Sequence, residues 1–302
     1  LAAVMDASRA IHCGDGDFYI ACGVESMSRA PFVMGNAELA FSRSANMFES
    51  TIGTRFPNAV LLNAFGNDSM PETADNVARE LGISRQDCDK FAAGSQAKYQ
   101  RARRDDFFTG EIMAVEVPQG RKQPPLLVNE DEHPREHSTV DNLSTLKPLF
   151  TDGVVTAGNA SGINVGAAAL SLGSKEAGER CGLVPRGRAI ASAIVGVEPR
   201  VMGLGPVEAS RKALFRAGLS LEQMAVIELN EAFAAQALGC LKQLNIDYDD
   251  SRVNPNGGAI AIGHPLGASG ARVALTALRQ LERNGGRFAL VTMCIGMGQG
   301  IA

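Results

Sequence analysis

The chain has 302 residues, of which 45% are hydrophobic and 5% aromatic, and it contains no tryptophan. A chain of this length buries a large core and holds two or three structural units. A net charge of −4 and a pI near 5.7 argue against nucleic-acid binding, and no apolar run approaches membrane-spanning length. The six cysteines form no CxxC pair and no zinc spacing, which indicates reduced thiols and no metal site.

A helix, a glycine turn and a strand open the chain. Apolar residues at helical spacing predict an amphipathic helix that ends at Cys13. The turn Gly14-Asp-Gly16 follows, and residues 18–21 have the apolar composition of a buried strand that ends at Cys22.

The middle of the chain, residues 31–162, changes character. Its Met-rich and polar stretches predict an inserted loop or lid domain. One strong helical pattern runs from Ser84 to Phe107, and Ser84 with Asp87 forms a start like a capping box.

A loop of small residues runs from Thr156 to Gly162. It leads into a pattern that predicts an Ala-rich helix over Val165 to Ala177. Such a loop can accept a phosphate or let a flat ligand lie close. Tight packing of a helix on a sheet explains the same composition, so both interpretations stay open.

The last unit, residues 186–302, contains the most informative stretch. An apolar strand over residues 226–229 leads into a predicted helix at Asn230, and the glycine-dense loop 254–270 contains His264. Glycines allow positive φ angles and close approach to a ligand, and amides that enter a helix favour an oxygen anion. The loop therefore suits chemistry on a carbonyl, and an ordinary loop with a solvated histidine is the alternative.

Residues 271–297 repeat the order of the opening segment. An amphipathic helix, a glycine turn and an apolar strand lead to a loop at Cys294. Two copies predict a duplicated α/β unit in which Leu1 corresponds to Ala271, and chance similarity is the alternative.

Three residues form the candidate catalytic set: Asn230, His264 and Cys294. Ligands of open α/β sheets gather at the carboxyl ends of strands, where all three are predicted to lie. Imidazole can exchange a proton with a thiol, and an Asn side chain helps to build an oxyanion site. Singly, Asn230 fits a helix cap and Cys294 a small buried hydrophobe, but together they indicate a site.

Several long motifs resemble, in the same order, the signature blocks of thiolases, and the likeness covers essentially the whole chain. The blocks are Asn230-Glu-Ala-Phe-Ala, Gly258-Ala-Ile-Ala-Ile-Gly-His-Pro-Leu-Gly-Ala-Ser-Gly, Cys294-Ile-Gly, Gly23-Val-Glu-Ser-Met-Ser and Thr156-Ala-Gly-Asn-Ala-Ser-Gly. The wording of three further stretches most resembles the 3-oxoadipyl-CoA thiolases of aromatic-compound breakdown: Ser26-Met-Ser-Arg-Ala-Pro-Phe-Val-Met-Gly, Asp68-Ser-Met-Pro-Glu-Thr-Ala and Asp131-Glu-His-Pro-Arg.

The resemblance implies an α/β thiolase fold. Two five-stranded mixed sheets, duplicates of each other, lie in a layered α-β-α-β-α arrangement with an inserted loop domain, here truncated at both ends. Residues 1–30, together with 163–185, correspond to a remnant of the N-terminal half, residues 31–162 to the loop domain and residues 186–302 to the C-terminal half.

The resemblance also implies residue roles. Thiolases cleave a 3-oxoacyl-CoA with free CoA, or run the reverse Claisen condensation, through an acyl-cysteine. His264 would activate the nucleophilic cysteine and, with water held by Asn230, bind the thioester oxygen. Cys294 would exchange a proton with the α-carbon of the acetyl group, and the amide of Gly296 would belong to a second oxyanion hole.

Coenzyme A is implied as a co-substrate, and no tightly bound cofactor is expected. The CoA contacts carry over to five residues: Arg135, Ser161, Gly162, Met70 and Phe233. Arg135 is the natural partner of the anionic nucleotide end, because a guanidinium suits phosphate.

The chain departs from the family pattern at its start. The nucleophilic cysteine of the family lies in a Cys-Gly-Ser-Gly turn just ahead of the position of Leu1, and neither Cys13 nor Cys22 is a substitute. We therefore expect that this polypeptide alone has no thiolase turnover and that an upstream segment carries the nucleophile.

Substrate and partners follow from the resemblance alone. The far carboxylate of a dicarboxylic acyl chain needs a cation, for which Arg29, Arg43 and Arg55 are candidates, although each also fits an ordinary surface charge. A homodimer or homotetramer in the bacterial cytoplasm is expected, without nucleic acid or membrane. A non-catalytic acyl-CoA or lipid-binding scaffold and a condensing enzyme for carrier-protein thioesters are the alternatives.

Overall fold

The computed structural model describes residues 1–37 and 39–302. The helices are α1 (Ala2–Cys13), α2 (Ala59–Phe65), α3 (Met70–Leu81), α4 (Arg85–Arg104), α5 (Val140–Ser144), α6 (Lys175–Arg180), α7 (Gly205–Ala217), α8 (Ala234–Leu244), α9 (Ala259–Ile262) and α10 (Leu266–Asn284). The strands are β1 (Phe18–Ser26), β2 (Phe32–Met34), β3 (Met47–Glu49), β4 (Val115–Val117), β5 (Leu126–Val128), β6 (Val165–Gly173), β7 (Ile194–Gly196), β8 (Val226–Leu229), β9 (Ala289–Ile295) and β10 (Gln299–Ile301). Within those residues, no helix is both long enough and apolar enough to cross a membrane.

Two sheets enclose a middle layer of two helices. One sheet is the antiparallel pair β1–β6, and the other has the order β7-β10-β9-β8, in which only β8 and β9 run parallel. Helix α10 packs against β1 and β6 on one side and against β8 and β9 on the other. Helix α1 also packs on β1 and β6, and its Met5 contacts Met293 and Ile301 of the second sheet. The resemblance implied two five-stranded sheets, of which the described residues form two and four strands.

The order of helix, turn and strand is the same in the two segments that the sequence paired. Helices α1 and α10 both end at a glycine in the left-handed conformation, Gly14 and Gly285, and each is followed by a strand, β1 or β9. The two helices also begin side by side, because a Cβ on Gly270 would collide with the backbone nitrogen of Leu1. The middle layer is therefore built from the two related segments.

Helix α10 approaches β1 unusually closely. A Cβ on Gly267 would collide with the carbonyl of Val24, and a Cβ on Gly23 would collide with the carbonyl of Gly267. The two glycines therefore let a helix start lie directly on a strand. This contact fixes the position of the loop that precedes α10 relative to β1.

The helix predicted over Val165 to Ala177 is wrong. Residues Val165–Gly173 form β6, and only Lys175–Arg180 are helical. Alanine favours a helix locally, but all nine residues of β6 pair with β1 from Val165↔Ser26 to Gly173↔Phe18. The pairing with a distant strand outweighs the local preference.

Two predicted boundaries around the site also need correction. Cys294 lies inside β9 and pairs with Gly300, because β10 folds back on it through a tight turn. Helix α8 begins at Ala234 instead of Asn230, because residues 230–233 run extended beside residues 159–161. Cys22 likewise lies in the middle of β1 instead of at its end.

The predicted helix in the middle region is confirmed. Helix α4 starts after Ser84, whose hydroxyl accepts the Asp87 N–H at 3.1 Å while the Asp87 carboxylate accepts the Ser84 N–H at 3.2 Å. Both α3 and α4 pack on α8, and α4 also contacts α9. This part of the middle region shares one apolar core with the C-terminal unit.

Candidate active site

The loop between α9 and α10 holds the imidazole of His264 at both nitrogens. The Nδ1 atom lies 2.7 Å from Ser269 Oγ, and that hydroxyl donates to the carbonyl of Pro265 at 3.0 Å. A serine hydroxyl has one proton, so His264 Nδ1–H donates to Ser269 and Nε2 carries the lone pair. The fold therefore presents His264 as a base through Nε2.

Asn230 faces that free nitrogen. Its Nδ2 donates to His264 Nε2 at 3.3 Å, and its backbone N–H donates to the Thr292 carbonyl at 3.0 Å. Its Oδ1 is buried and has no hydrogen-bond partner among the residues that the structure describes. A buried polar atom without a partner is rare, and it points to a water or ligand that donates to it.

The charge state of His264 follows from its surroundings. Burial and, second, the Arg272 guanidinium lower the pKa of His264 to about 4. The imidazole is therefore neutral at pH 7, as a base must be.

Cys294 presents a neutral thiol. Burial raises the pKa of Cys294 to about 12, so the thiol is protonated at pH 7. Its side chain packs with Met202 and with Ala232 and Phe233, which lie in the segment that follows Asn230. Cys294 is thus suited to donate a proton, and it belongs to the same neighbourhood as the Asn230–His264 pair without a hydrogen bond to either.

Three of the predicted CoA contacts lie together. The Ser161 N–H donates to the carbonyl of Ala232 at 3.0 Å, and Ala160 bridges to Phe233. Gly162 follows directly, so the small-residue loop lines the segment that carries Asn230. Met70 approaches from α3, where its sulfur faces Gly296 at the end of β9.

Arg135 stands apart from these contacts at the surface. Among the described residues its guanidinium donates only to the carbonyls of Glu132 and Pro134, at 3.0 and 3.4 Å. Its backbone N–H donates to Gln96 Oε1 at 3.0 Å. The segment is anchored while the cation remains available to an anionic ligand.

Sequence reasoning missed several residues that hold the site. Glu231, next to Asn230, is fully buried and accepts from Asn254 Nδ2 at 2.7 Å, Ser95 Oγ at 2.7 Å and the Ile260 N–H at 3.2 Å. It ties the Asn230 segment to the loop before His264. The only sequence signal for Glu231 was its place in the motif that begins at Asn230. Ser95 lies in no motif and had no such signal.

No metal centre is found in the described part of the chain, where no three His, Cys, Asp or Glu side chains could hold an ion together. The candidate set consists of an imidazole base, a thiol and an amide.

Comparison with known proteins identifies relatives over the whole length. A family model described as the N-terminal domain of thiolase matches residues 1–176, and one described as its C-terminal domain matches residues 183–302. The chain is 58% identical over 297 residues to the 3-oxoadipyl-CoA/3-oxo-5,6-dehydrosuberyl-CoA thiolase of Escherichia coli (strain K12), covering 98% of this chain and 74% of that protein. It is 54% identical over 303 residues to a beta-ketoadipyl-CoA thiolase of Acinetobacter baylyi, covering 100% and 75%.

Solved structures agree on the fold. Human mitochondrial 3-ketoacyl-CoA thiolase, 36% identical, superposes with a TM-score of 0.88 over 99% of this chain and 74% of its own. The same enzyme in complex with CoA gives a TM-score of 0.87. The fold class predicted from the sequence is confirmed, and the chain spans about three quarters of the length of these relatives.

Proposed function

This chain belongs to the thiolase family and is a thiolase-type acyltransferase, and on that premise we propose that the product of the intact gene cleaves 3-oxoadipyl-CoA with CoA into succinyl-CoA and acetyl-CoA, or runs the reverse condensation. The observation that carries the site assignment is the pair formed by Asn230 and His264. The imidazole is neutral and its Nε2 carries no proton, and the amide oxygen of Asn230 has no hydrogen-bond partner in the described part of the chain. The identity to the 3-oxoadipyl-CoA thiolases supports the substrate.

The proposed reaction passes through an acyl-cysteine. A cysteine thiolate adds to C3 of the substrate, the C2–C3 bond breaks, and the thiol of Cys294 gives its proton to C2, which releases acetyl-CoA. The Cys294 thiolate then deprotonates CoA, whose sulfur attacks the acyl-cysteine. The bond between the acyl group and the enzyme cysteine breaks, which forms the product acyl-CoA and regenerates that cysteine. A thiol with a pKa near 12 becomes a strong base once it has given up its proton, so it can serve in both directions.

From the resemblance, we propose that the nucleophilic cysteine of the intact gene product precedes the position of Leu1. The backbone nitrogen of Leu1 lies against Gly270, one residue after Ser269, which bonds the catalytic imidazole. A residue bonded to the Leu1 nitrogen would therefore lie next to the loop that carries His264.

His264 and Asn230 are proposed to stabilise the enolate oxygen. After His264 has taken the proton of the nucleophile, its Nε2–H can donate to that oxygen, and a water bonded to Asn230 Oδ1 can donate as well. One such donor stabilises a transition state by about 3 kcal/mol. The amide of Gly296 is proposed as a donor for the oxygen of the acyl-cysteine.

The test is turnover by the product of the intact gene, so that any residues ahead of Leu1 are present. We expect His264→Ala and Cys294→Ala each to lower kcat for thiolysis by about 100-fold or more, with CoA binding kept. The matched control is Ser210→Ala, a change at a fully buried serine on α7, which we expect to leave kcat within twofold. If the unchanged protein binds CoA but shows neither turnover nor a covalent acyl adduct, the non-catalytic scaffold is supported instead.

Arg135 is proposed to bind the phosphates of CoA. Its guanidinium bonds only to nearby carbonyls, so most of its donors are available. We expect Arg135→Gln to raise the Kd of CoA about 10-fold and to weaken the dependence of Kd on salt. Arg104→Gln, at the exposed end of α4, is the control. Equal Kd values for the two variants would remove Arg135 from the CoA site.

Arg55 is the proposed partner of the far carboxylate of the acyl chain. Its Nη1 donates to the carbonyls of Ser50 and Gly53 at 3.3 and 2.8 Å, and among the described residues no carboxylate forms an ion pair with it, although its charge acts on the nearby Glu49 carboxylate. We expect Arg55→Gln to lower kcat/KM for 3-oxoadipyl-CoA about 10-fold more than for acetoacetyl-CoA, with Arg121→Gln, a change at an exposed arginine between β4 and β5, as the control. Equal losses on both substrates would rule out this role.

The division into units and the assembly remain proposals. Pairing of β1 with β6 joins residues 1–30 to 163–185, which supports their assignment to one half. We propose a homodimer or homotetramer, because large apolar side chains are exposed on the middle region, among them Phe32, Phe41 and Phe56. We propose the cytoplasm as its location from the resemblance to bacterial thiolases. Mass photometry of the intact gene product measures the assembly.

A further inference from the structure

A second histidine, His133, lies close to the catalytic loop although its segment belongs to the middle region. Its Nε2 lies 3.2 Å from the carbonyl oxygen of Ile260, and its Nδ1 lies 3.4 Å from Asn164 Nδ2. Asn164 in turn accepts the backbone N–H of His264 on its Oδ1 at 2.9 Å. A continuous chain of hydrogen bonds therefore runs from Ile260 through His133 and Asn164 to His264.

Hydrogen-bond chemistry allows one arrangement of protons along this chain. The His264 N–H can only donate, so the atom of Asn164 that faces it is the oxygen. The Asn164 amide nitrogen then faces His133 Nδ1, which must be an acceptor without a proton. The proton of His133 is therefore on Nε2, where the Ile260 carbonyl accepts it.

The charge state of His133 fits this arrangement. Burial, with Arg135 as a smaller cause, lowers the pKa of His133 and so favours the neutral ring. A neutral ring has one donor and one acceptor, as the two neighbours require.

The segment that carries His133 is fixed to the same loop at a second point. Gln96 on α4 donates its Nε2–H to the Ile260 carbonyl at 3.2 Å and accepts the Arg135 N–H on Oε1 at 3.0 Å. His133 and Arg135 are thus held at a constant distance from Ile260, which lies four residues before His264.

We propose that His133 is a positioning residue of the active site: by accepting from Asn164, it orients the carboxamide that fixes the backbone of His264. The inference rests on the proposed function, because it assigns His264 the role of catalytic base. Displacement of a catalytic group by about 1 Å can lower a rate about 100-fold, so orientation of one amide is enough to matter.

Variants of His133 separate orientation from packing. His133→Phe keeps the ring volume and removes both polar contacts, and we expect kcat to fall about 10-fold or more with the KM for CoA changed less than threefold. Asn at this position can place its Oδ1 near the position of Nδ1, whereas Gln can place its Nε2 near the position of Nε2. We therefore expect His133→Asn to recover kcat to within about threefold of the unchanged enzyme and His133→Gln not to recover it.

The outcome that overturns the proposal is a kcat for His133→Phe within twofold of the unchanged enzyme, or equal recovery by the Asn and Gln variants. Thermal unfolding of each variant is measured beside it. If a His133 variant fails to fold, Asn164→Leu replaces it. This change breaks the same series of hydrogen bonds at Asn164, and we expect the same loss of kcat.

A measurement that needs no turnover decides the proton arrangement independently. The chain contains four histidines, so long-range ¹H–¹⁵N correlation spectra of histidine-labelled protein can be assigned by substitution. We expect the Nε2–H form for His133 and the Nδ1–H form for His264, and an Nδ1–H form at His133 would overturn the inference. Absence of turnover in the unchanged protein would defeat the proposed function alone and leave this result standing.

Discussion

At the scale of single residues, His264 shows how a fold makes a base. Its Nδ1–H is held by Ser269 and its backbone N–H by Asn164, so Nε2 is the only polar atom of the ring left for chemistry. The sequence could identify the imidazole, because the residue type and its glycine context suggest chemistry. It could not identify Ser269, which sets the tautomer of the ring, or Asn164, which holds the backbone N–H, because bonds from positions 5 and 100 residues away leave no local pattern.

Removal of the Ser269 hydroxyl tests this orientation. In Ser269→Ala the buried Nδ1–H of His264 has no acceptor, which costs about 1–3 kcal/mol and frees the ring to take the other tautomer. We expect kcat to fall about 10-fold or more. Ser210→Ala is the matched control, because Ser210 is equally buried and its Oγ has no partner within the described residues. Equal effects of both changes on kcat would show that Ser269 only fills space.

The lowered pKa of His264 predicts how stability depends on pH. The folded pKa is about 4, whereas an unfolded histidine has a pKa near 6.5. Below pH 6.5 the unfolded chain takes a proton that the folded chain resists, so the free energy of unfolding falls as the pH is lowered toward 4. The loss of unfolding free energy caused by this group reaches at most about 3 kcal/mol near pH 4, and above pH 7 there is no loss.

The measurement is the difference in unfolding free energy between the unchanged protein and His264→Asn, taken by urea titration from pH 7.5 to 4.5. We expect the unchanged protein to lose more stability toward acid than the variant. Cys294→Ala is the control in the same pocket, because a thiol with a raised pKa does not titrate in this range, and its curve should run parallel to that of the unchanged protein. Parallel curves for His264→Asn would contradict the assignment of a low pKa.

At the scale of elements, local signals succeeded where the element is held by its own residues. The capping box of Ser84 and Asp87 marks the start of α4, and it is visible in four consecutive residues. Strand β6 failed, because its Ala-rich sequence prefers a helix and only the ladder with β1 makes it a strand. The two segments are separated by about 140 residues, as the pairing of Ser26 with Val165 shows.

The cap of α4 is open to a direct test. Ser84→Ala leaves the Asp87 N–H without its side-chain acceptor and is expected to lower the free energy of unfolding by about 1 kcal/mol. Ser84→Asn keeps an acceptor at the N-cap and is expected to stay within about 0.5 kcal/mol of the unchanged protein. If urea unfolding gives the same value for both variants, the cap does not stabilise the protein.

At the scale of the whole molecule, the site depends on how closely the layers approach. Helix α10 lies on β1 at Gly267 and also carries Ser269, while the Asn230 segment follows β8. Asn230 and His264 thus come from different elements. The packing of α10 between the sheets sets the distance of 3.3 Å between Asn230 Nδ2 and His264 Nε2.

The close approach of α10 to β1 predicts that replacing glycine by alanine has opposite effects on stability at Gly267 and at Gly94. Gly267→Ala would push its methyl group into the Val24 carbonyl, and overpacking of this kind costs about 1–3 kcal/mol. Gly94→Ala in α4 meets no atom within 4 Å and is expected to stabilise the helix by about 0.5–1 kcal/mol. Thermal unfolding should lower the Tm of the first variant and raise that of the second. A Gly267 variant as stable as the unchanged protein would show that the layers can separate at no cost.

The sequence by itself determined the family, the fold class and the residue types of the site, because residue types, glycine context and motif order are local properties of the chain. Only the tertiary structure decided that residues 165–173 form a strand, that Nε2 of His264 is the nitrogen without a proton, and that His133 reaches Asn164 and the segment before His264. The physical reason is that hydrogen-bond partners and strand pairing are chosen by atoms that meet across the fold. A chain can carry such a partner 100 residues or more from the group it holds without any trace in the residues beside that group.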